Sequence, residues 1–406
     1  MTQRIQQDWL KEPPLQALLK VLNADGGEAM IAGGAVRNAL LGEPIRDVDI
    51  ATTLLPRDVI LRAKKAGFKS VPTGIDHGTI TVVVDSAPFE VTTLREDIET
   101  DGRHARVIYG KDWRKDAQRR DFTINALYLR ADGEIVDVLG GLDDVLARRV
   151  VFIGEAEQRI REDYLRILRF FRFFAWYGAF RPDAAGLKAC AKLKEGLDHL
   201  SVERIWQELS KTFAAPDPSR TMLWMRQTGV LSRVLPESEN WGIDAAMPLM
   251  AQEERLGLEP DCVRRLMAII RSDGGVTDGL ATRLKLPNAV RKRLELWANC
   301  PEPDSELEDN AFRRWLYRQN AKAVEDKLIL ALTKSGVNSA PVDAKLALLR
   351  EKRPIFPLSG KHLLEHGYEP GPIIAPTLRK LEDFWIESDF QMGKEELLAK
   401  LPLDLE

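Results

Sequence analysis

Asp47 and Asp49 lie two residues apart in Arg46-Asp-Val-Asp-Ile-Ala-Thr. On a strand that spacing aims both carboxylates at one face and leaves Val48 and Ile50 for a core on the other. Side-by-side carboxylates repel unless a cation lies between them. Hard divalent Mg²⁺ takes such a pair, with phosphate oxygens and water as its remaining ligands. An isolated pair of this kind reads better as a solvated strand end, so its neighbours decide. Just upstream, Ile31-Ala-Gly-Gly-Ala-Val-Arg-Asn reads as strand, glycine turn and helix. Gly33 and Gly34 would let backbone N–H groups approach a phosphate at the helix N-terminus, with Arg37 one turn further in. By itself a Gly-Gly step favours a plain tight connection.

Arg119-Arg-Asp-Phe-Thr-Ile-Asn-Ala-Leu is the next dense block. Guanidinium forks such as those of Arg119 and Arg120 suit triphosphate oxygens. Asp121 and Asn125 are placed to hydrogen-bond ribose hydroxyls, although Asp121 equally suits a helix cap or a pair with Arg119. In Arg161-Glu-Asp-Tyr-Leu-Arg-Ile-Leu-Arg-Phe-Phe-Arg, Asp163 and Arg166 are neighbours three apart on a helix. An ordinary helix ion pair is one reading. The other is base selection. A carboxylate accepts from an exocyclic amine, and a guanidinium donates to the adjacent ring nitrogen or carbonyl. Cytosine N4 and adenine N6 satisfy such a pair; uracil O4 and guanine O6 would face the carboxylate and be repelled.

These groups need rigid supports. Before residue 150 short apolar runs alternate with Gly, Asp and Thr. They predict strands at 29–32, 45–52, 79–84, 90–94, 125–129 and 134–138, with helices opening at Gly34 and Pro56. Beyond it the pattern is helical. Residues 155–177 read as one helix, with Leu165, Leu168, Phe171 and Phe174 at three- and four-residue spacing, and Ser201 is the N-cap of another. Further helices are expected at 219–228, 261–271, 287–298, 309–318, 321–334 and 341–351. The polar stretch 96–106 is expected as a mobile loop.

The combination of GG-x-x-R with DxD resembles the nucleotidyltransferase superfamily that includes DNA polymerase β. GGAVRNALLG with RDVDIAT, then RRDFTINAL and EDxxR, is similar to the class II tRNA nucleotidyltransferases (CCA-adding enzymes) and bacterial poly(A) polymerases. The resemblance, strongest over 28–210, implies an α+β fold. A small polymerase β-like head with a mixed sheet (1–150) would precede an elongated all-helical remainder. That remainder would be a neck with a base-recognition helix (151–215), a tRNA-binding body (216–340) and a tail (341–406). It also implies template-independent CCA addition to tRNA 3′ ends from CTP and ATP. Asp47 and Asp49 would hold Mg²⁺, and Gly33, Gly34, Arg37, Arg120, Asp121 and Asn125 would bind the nucleotide. Asp163 and Arg166 would read the base. Arg169 and Arg172 count as nucleotide-binding in the family. Glu90 is the candidate third catalytic carboxylate, with Asp137 its competitor. Gly74-Ile-Asp-His-Gly-Thr resembles the CCA-adding type, and 96–106 resembles the loop that the family needs for the final A. Asn38 stands where many relatives have Asp, and Ala375 where Gly is expected.

The chain's 406 residues suggest two to four domains. Its net charge of −3 excludes a uniformly basic nucleic-acid coat but not a local basic surface. Two acid-free windows stand out: 281–293, with Arg283, Lys285, Arg291, Lys292 and Arg293, and 311–322, with Arg313, Arg314, Arg318 and Lys322. They are expected to track the acceptor and T-arm phosphates of tRNA by shape, a solvated helix face being the equal alternative for each. Three scattered cysteines give no disulfide framework. No run approaches the ~18 apolar residues of a membrane span. A cytoplasmic location follows, with no membrane and no implied protein partner. The enzymatic alternative is a poly(A) polymerase. The other is a non-catalytic RNA-binding relic, which would gain nothing from two repelling aspartates.

Overall fold

The computed structural model describes residues 3–75, 78–101, 104–239, 242–334 and 336–401. The chain divides into two units, Met1–Glu239 and Asn240–Glu406. In the first, α1 (Pro13–Leu22) leads into β1 (Ala29–Ala32), α2 (Gly34–Leu41), β2 (Asp49–Thr52), α3 (Pro56–Lys65), β3 (Lys69–Gly74), β4 (Thr79–Val84) and β5 (Ala87–Thr93). There follow β6 (Arg95–Asp101), β7 (His104–Tyr109), α4 (Trp113–Gln118), β8 (Leu127–Leu129), β9 (Ile135–Asp137) and α5 (Gly141–Leu146). The rest of this unit is helical: α6 (Ala156–Glu162), α7 (Leu165–Tyr177), α8 (Ala184–Lys192), α9 (Val202–Phe213), α10 (Ser219–Gln227) and α11 (Val230–Val234).

Among the described residues, seven strands form one mixed sheet in the order β3-β4-β5-β2-β1-β8-β9. Only β2 and β5 run parallel there, and their register sets Asp49 directly beside Glu90. Alternation explains the sheet: Ile80, Val82 and Val84 of β4 are buried while Thr79, Thr81 and Val83 are only partly so. Burying each such side chain contributes about 1.5–3 kcal/mol. Met30 and Ala32 of β1, Ala51 of β2 and Tyr128 of β8 pack with Ala117 of α4 in one core cluster. A second, aromatic cluster ties the helices to the sheet region. Phe170 of α7 stacks on Phe152 with centroids 5.5 Å apart, and Phe173 lies 5.2 Å from Phe122.

Three expectations change. The strand predicted over 45–52 begins at Asp49, so Asp47 precedes it; the ladder with β1 and β5 covers only 49–52. The single helix predicted over 155–177 is broken. Asp163 is extended (φ −154°, ψ 107°), and its Oδ1 accepts from Leu165 N at 3.0 Å. A short carboxylate that bonds the backbone two residues on competes with continuous helix, and here it starts a new one. The predicted loop over 96–106 is instead the β6–β7 hairpin, whose backbone pairs from Arg95↔Tyr109 to Asp101↔His104 with an irregularity between Asp97 and Glu99. Residues 102 and 103 lie outside the described residues. Charge hid this ladder from a hydropathy reading. The edge strand β3 also went unseen, since it is mostly exposed and contains Pro72, which only an edge tolerates. Ser201 does precede α9 in extended conformation, but its side chain makes no cap bond.

The second unit is helical: α12 (Ala246–Arg255), α13 (Cys262–Ala268), α14 (Gly274–Arg283), α15 (Asn288–Asn299), α16 (Asp309–Tyr317), α17 (Ala321–Ala331), α18 (Ser339–Leu348), α19 (Gly360–Glu365), α20 (Ile374–Glu387) and α21 (Lys394–Leu398). Leu363, Tyr368, Leu381 and Trp385 form the core of its last part.

Candidate active site

The β1–α2 turn carries the glycines. Gly33 has φ 65° and ψ −108°, a conformation that favours glycine, and caps α2. A Cβ there would meet Arg120 Nη1 at 3.0 Å and the Asn125 carbonyl at 3.3 Å. Gly33→Ala is therefore expected to cost about 1–3 kcal/mol of stability through strain and to displace Arg120, a residue expected to bind nucleotide. Thermal unfolding and nucleotide titration check this; a variant matching the native protein in both would contradict it.

Arg37, one turn into α2, is buried. Its guanidinium lies 3.9 Å from the Tyr177 ring centroid and donates to Tyr177 Oη at 2.9 Å. It also donates to the Asn125 Oδ1 and twice to Asn38 Oδ1, at 3.1 and 2.8 Å. Asn38 thus supplies the acceptor an aspartate would. Its Nδ2 also donates to Pro44 O at 2.8 Å, which no carboxylate can do.

Arg119 and Arg120 follow α4, and the chain then brings Asp121 under α7. Asp121 is 8 % exposed. Its Oδ1 accepts from Phe122 N and from Asn125 Nδ2, both at 2.9 Å, and its Oδ2 accepts from Arg169 Nε at 2.7 Å. Burial disfavours this carboxylate, but Arg169's charge and the Asn125 bond outweigh it and hold its pKa below the usual range. Arg169 is thereby held through both its Nε and its Nη2.

A cleft of about 560 Å³ gathers these groups. Its walls are Gly33, Gly34, Arg37, Asp49, Arg95, Arg119, Arg120, Asp121, Asn125, Asp163, Leu165, Arg166, Arg169, Phe173 and Arg204. Seven arginines against three aspartates make it a site for a polyanion. A smaller cavity holds Asp49 with Glu90, Arg119 and Arg120, and a third holds Asp47 with Asp49, Arg46 and Tyr177. Asp49 is common to all three. Its pKa is raised first by the surrounding protein, then by Glu90 and Asp47, with Arg120 opposing. A cation would relieve that repulsion, and the donors are hard oxygens suited to Mg²⁺. Among the described residues no group of three His, Cys, Asp or Glu is arranged as a metal site. Asp47 and Asp49 are the candidate pair, and any further ligands would have to come from phosphate and water. Asp137 does something else. Its carboxylate accepts from the backbone N–H groups of Leu139, Gly140, Gly141 and Leu142 at 2.9–3.2 Å and so opens α5.

Asp163 and Arg166 both line the cleft but engage other partners. Asp163 Oδ2 accepts from Arg204 Nη2 of α9 at 2.8 Å. Arg166 Nη1 donates to Glu162 Oε2 at 2.5 Å and to the Arg159 carbonyl at 2.6 Å. The intrahelical pair that spacing suggested is replaced by two anchored, separate groups, because Asp163 sits at a helix break. Arg172 points elsewhere: it borders the third cavity, donates to Glu208 Oε2 at 2.5 Å and lies 4.3 Å from the Phe173 ring centroid. Sequence reasoning missed Arg204 and Glu208, whose partners are 36 to 41 residues away. It also missed Asp116, although its i,i+3 and i,i+4 spacing to Arg119 and Arg120 was a usable signal.

In the second unit the cations of the windows that looked acid-free are paired by acids just outside those windows or from other helices. Arg293 is held by Asp261 and Asp326 through contacts of 2.6–3.0 Å. Arg291 meets Asp278 at 3.3 Å and Lys292 meets Glu295 at 3.2 Å. Arg313 meets Glu351 at 3.0 Å, and Arg314 pairs with Asp389. Arg283 and Lys285 are exposed near the C-terminal end of α14.

The chain is similar to known proteins over most of its length. Residues 29–151 match the poly A polymerase head domain, and 179–241 match a probable RNA- and SrmB-binding site of polymerase A. The chain is 35 % identical over 401 residues to the mitochondrial CCA tRNA nucleotidyltransferase 1 of Danio rerio, covering 95 % of this chain and 90 % of that one. It is 32 % identical to the CCA-adding enzyme of Geobacillus thermodenitrificans, covering 96 % and 97 %. The Bacillus stearothermophilus CCA-adding enzyme, solved in complex with CTP, superposes with a TM-score of 0.73 at 27 % identity over 96 % of each chain. The fold and site define a nucleotidyltransferase with a polymerase-type head, a class that uses divalent metal. Within that class the chain belongs to the CCA-adding tRNA nucleotidyltransferase family. Among the described residues no helix is long and apolar enough to cross a membrane.

Proposed function

We propose that this chain builds CCA on tRNA 3′ ends from CTP and ATP without a nucleic-acid template. The observation that carries the reading is one cleft that joins a glycine turn, an aspartate beside a carboxylate partner, clustered arginines and the Asp163–Arg166 region. In this reading the triphosphate lies along Gly33, Gly34, Arg37 and Arg120, with Asp121 and Asn125 towards the ribose. Asp47 and Asp49 would hold Mg²⁺, with Glu90 as the third carboxylate. Such ions supply charge stabilisation at phosphate oxygens and a more acidic bound hydroxyl. Asp163 accepts from the amine of C or A, and Arg166 donates to the adjacent acceptor. A carboxylate oxygen has room for a second donor, so Arg204 need not leave. Arg169 acts by holding Asp121, and Arg172 by joining α7 to α9.

For tRNA, exposed pairs such as Arg291–Asp278, Lys292–Glu295 and Arg313–Glu351 are weak enough to exchange for phosphates, as is Arg314. Arg283 and Lys285 join them, whereas Arg293 is read as structural. The division into head (1–150), neck (151–215), body (216–340) and tail (341–406), and a cytoplasmic location, belong to the same proposal.

Primer extension tests it. A tRNA transcript ending before CCA is supplied with Mg²⁺ and CTP, ATP or both. Two C additions, then one A and a stop, support the reading. Long A tracts from ATP alone would make the protein a poly(A) polymerase, and no extension by folded protein would leave only RNA binding.

A further inference from the structure

Asp116 lies on α4, and only 1 % of its surface is exposed. A buried carboxylate is costly unless it is fully bonded, and this one is. Its Oδ1 accepts from Arg119 Nε at 2.8 Å and lies 2.7 Å from Arg119 Nη2. Its Oδ2 accepts from Arg120 Nη2 at 3.2 Å and from Tyr128 Oη at 2.8 Å. Burial opposes ionisation here, but the charges of Arg120 and Arg119 outweigh it and keep the pKa low. The two guanidiniums remain partly open, with 18 % and 21 % of their side chains exposed, and both line the cleft. One carboxylate shared by two guanidiniums leaves a net unit of positive charge facing the site. The backbone is pinned as well: Arg159 Nη2 donates to the carbonyls of Arg119 and Arg120 at 2.7 and 2.6 Å. Arg120 Nη1 also reaches the Asn125 carbonyl at 3.1 Å.

We propose that Asp116 is a positioning residue that holds Arg119 and Arg120 ready to receive the polyphosphate of the incoming nucleotide. The inference rests on the nucleotide reading of this cleft. Two long, flexible cations held in one geometry before binding lose little rotamer freedom when the anion arrives. Without Asp116 they would also repel each other and swing apart. Tyr128 fixes the carboxylate in turn, and its ring is held edge-on by Trp113 at 5.0 Å.

The test is calorimetric titration of the full-length protein with inorganic tripolyphosphate, which needs no turnover. Asp116→Asn is expected to lower affinity about 10- to 100-fold, the range known for groups that orient metal-binding side chains, because the lost orientation outweighs the unit of positive charge gained. Asp116→Glu, which keeps the charge, should recover part of the loss. In an Arg120→Ala background Asp116→Asn should cost markedly less than in the native one, because both act through one group. The preference for CTP over UTP should stay as in the native protein, which a general collapse of the site would not allow. Native-like tripolyphosphate affinity in folded Asp116→Asn would overturn the inference, as would fully additive losses in the cycle. Should Asp116→Asn fail to fold, Tyr128→Phe takes its place. Loosening the carboxylate should lower tripolyphosphate affinity a few-fold, and unchanged affinity would overturn the inference. A native protein that binds tripolyphosphate yet extends no tRNA would overturn the proposed function and leave this assignment standing.

Discussion

Alanine at Asp47 or Asp49 is expected to lower nucleotide incorporation by about 10³-fold or more while the protein stays folded. A loss of several kcal/mol of charge stabilisation at reacting phosphate oxygens converts to that range. The fold should tolerate the change, because Asp49 is exposed to the cleft and its ionisation is disfavoured by the protein packed around it, by Glu90 and by Asp47. Removing one carboxylate relieves repulsion in the free protein. Single-turnover extension of a tRNA ending before CCA, with thermal unfolding alongside, measures both. A folded variant with native turnover would remove these aspartates from the chemistry. A gain in melting temperature together with lost activity would fit a site that trades stability for function.

The second large effect is expected at Asp163. Asp163→Ala should reduce the preference for CTP over UTP by about 10- to 100-fold, the discrimination that one well-placed pair of hydrogen bonds provides. Two separate losses contribute. The amine of cytosine loses its acceptor, and the O4 of uracil no longer meets a negative charge. Arg204 is left without its carboxylate partner and Leu165 N without its cap. Some loss of stability is therefore expected as well, and the ratio of kcat/KM values for CTP and UTP is the quantity to read. An unchanged ratio in folded protein would mean that base selection lies elsewhere in the cleft.

The candidate residues that the cavities gather were legible because each belongs to a pattern of local spacing. Gly33, Gly34 and Arg37 occupy one turn. Asp47 and Asp49 occupy one strand entry, and Arg119 to Asn125 one short loop. The groups that hold them were not legible. Arg204 reaches Asp163 and Glu208 reaches Arg172 across helices whose packing no local window contains. The sheet was readable where one face is buried, as in β4, and unreadable in β3, where exposure removes the alternation, and in β6–β7, where the charged sequence does. The break at Asp163 was hidden by an unbroken apolar periodicity on both sides of it. Window counts of charge misled most in the second unit, where the acids that neutralise Arg293 and Arg313 come from 32 to 38 residues away in sequence.

The paired acids have a consequence for how the second unit would meet an RNA backbone. Cations on a bare basic surface push condensed sodium or potassium off the nucleic acid, and the entropy so released makes affinity fall steeply with salt. Here Arg291, Lys292 and Arg313 carry tethered carboxylates in place of free anions. An arriving phosphate trades places with a side chain that stays attached to the protein. The exchange still frees cations from the RNA, yet part of that gain goes into separating the internal pairs. Attraction to a phosphate would thus be graded by how firmly each cation is already paired, and would depend on salt less steeply than on a bare basic surface.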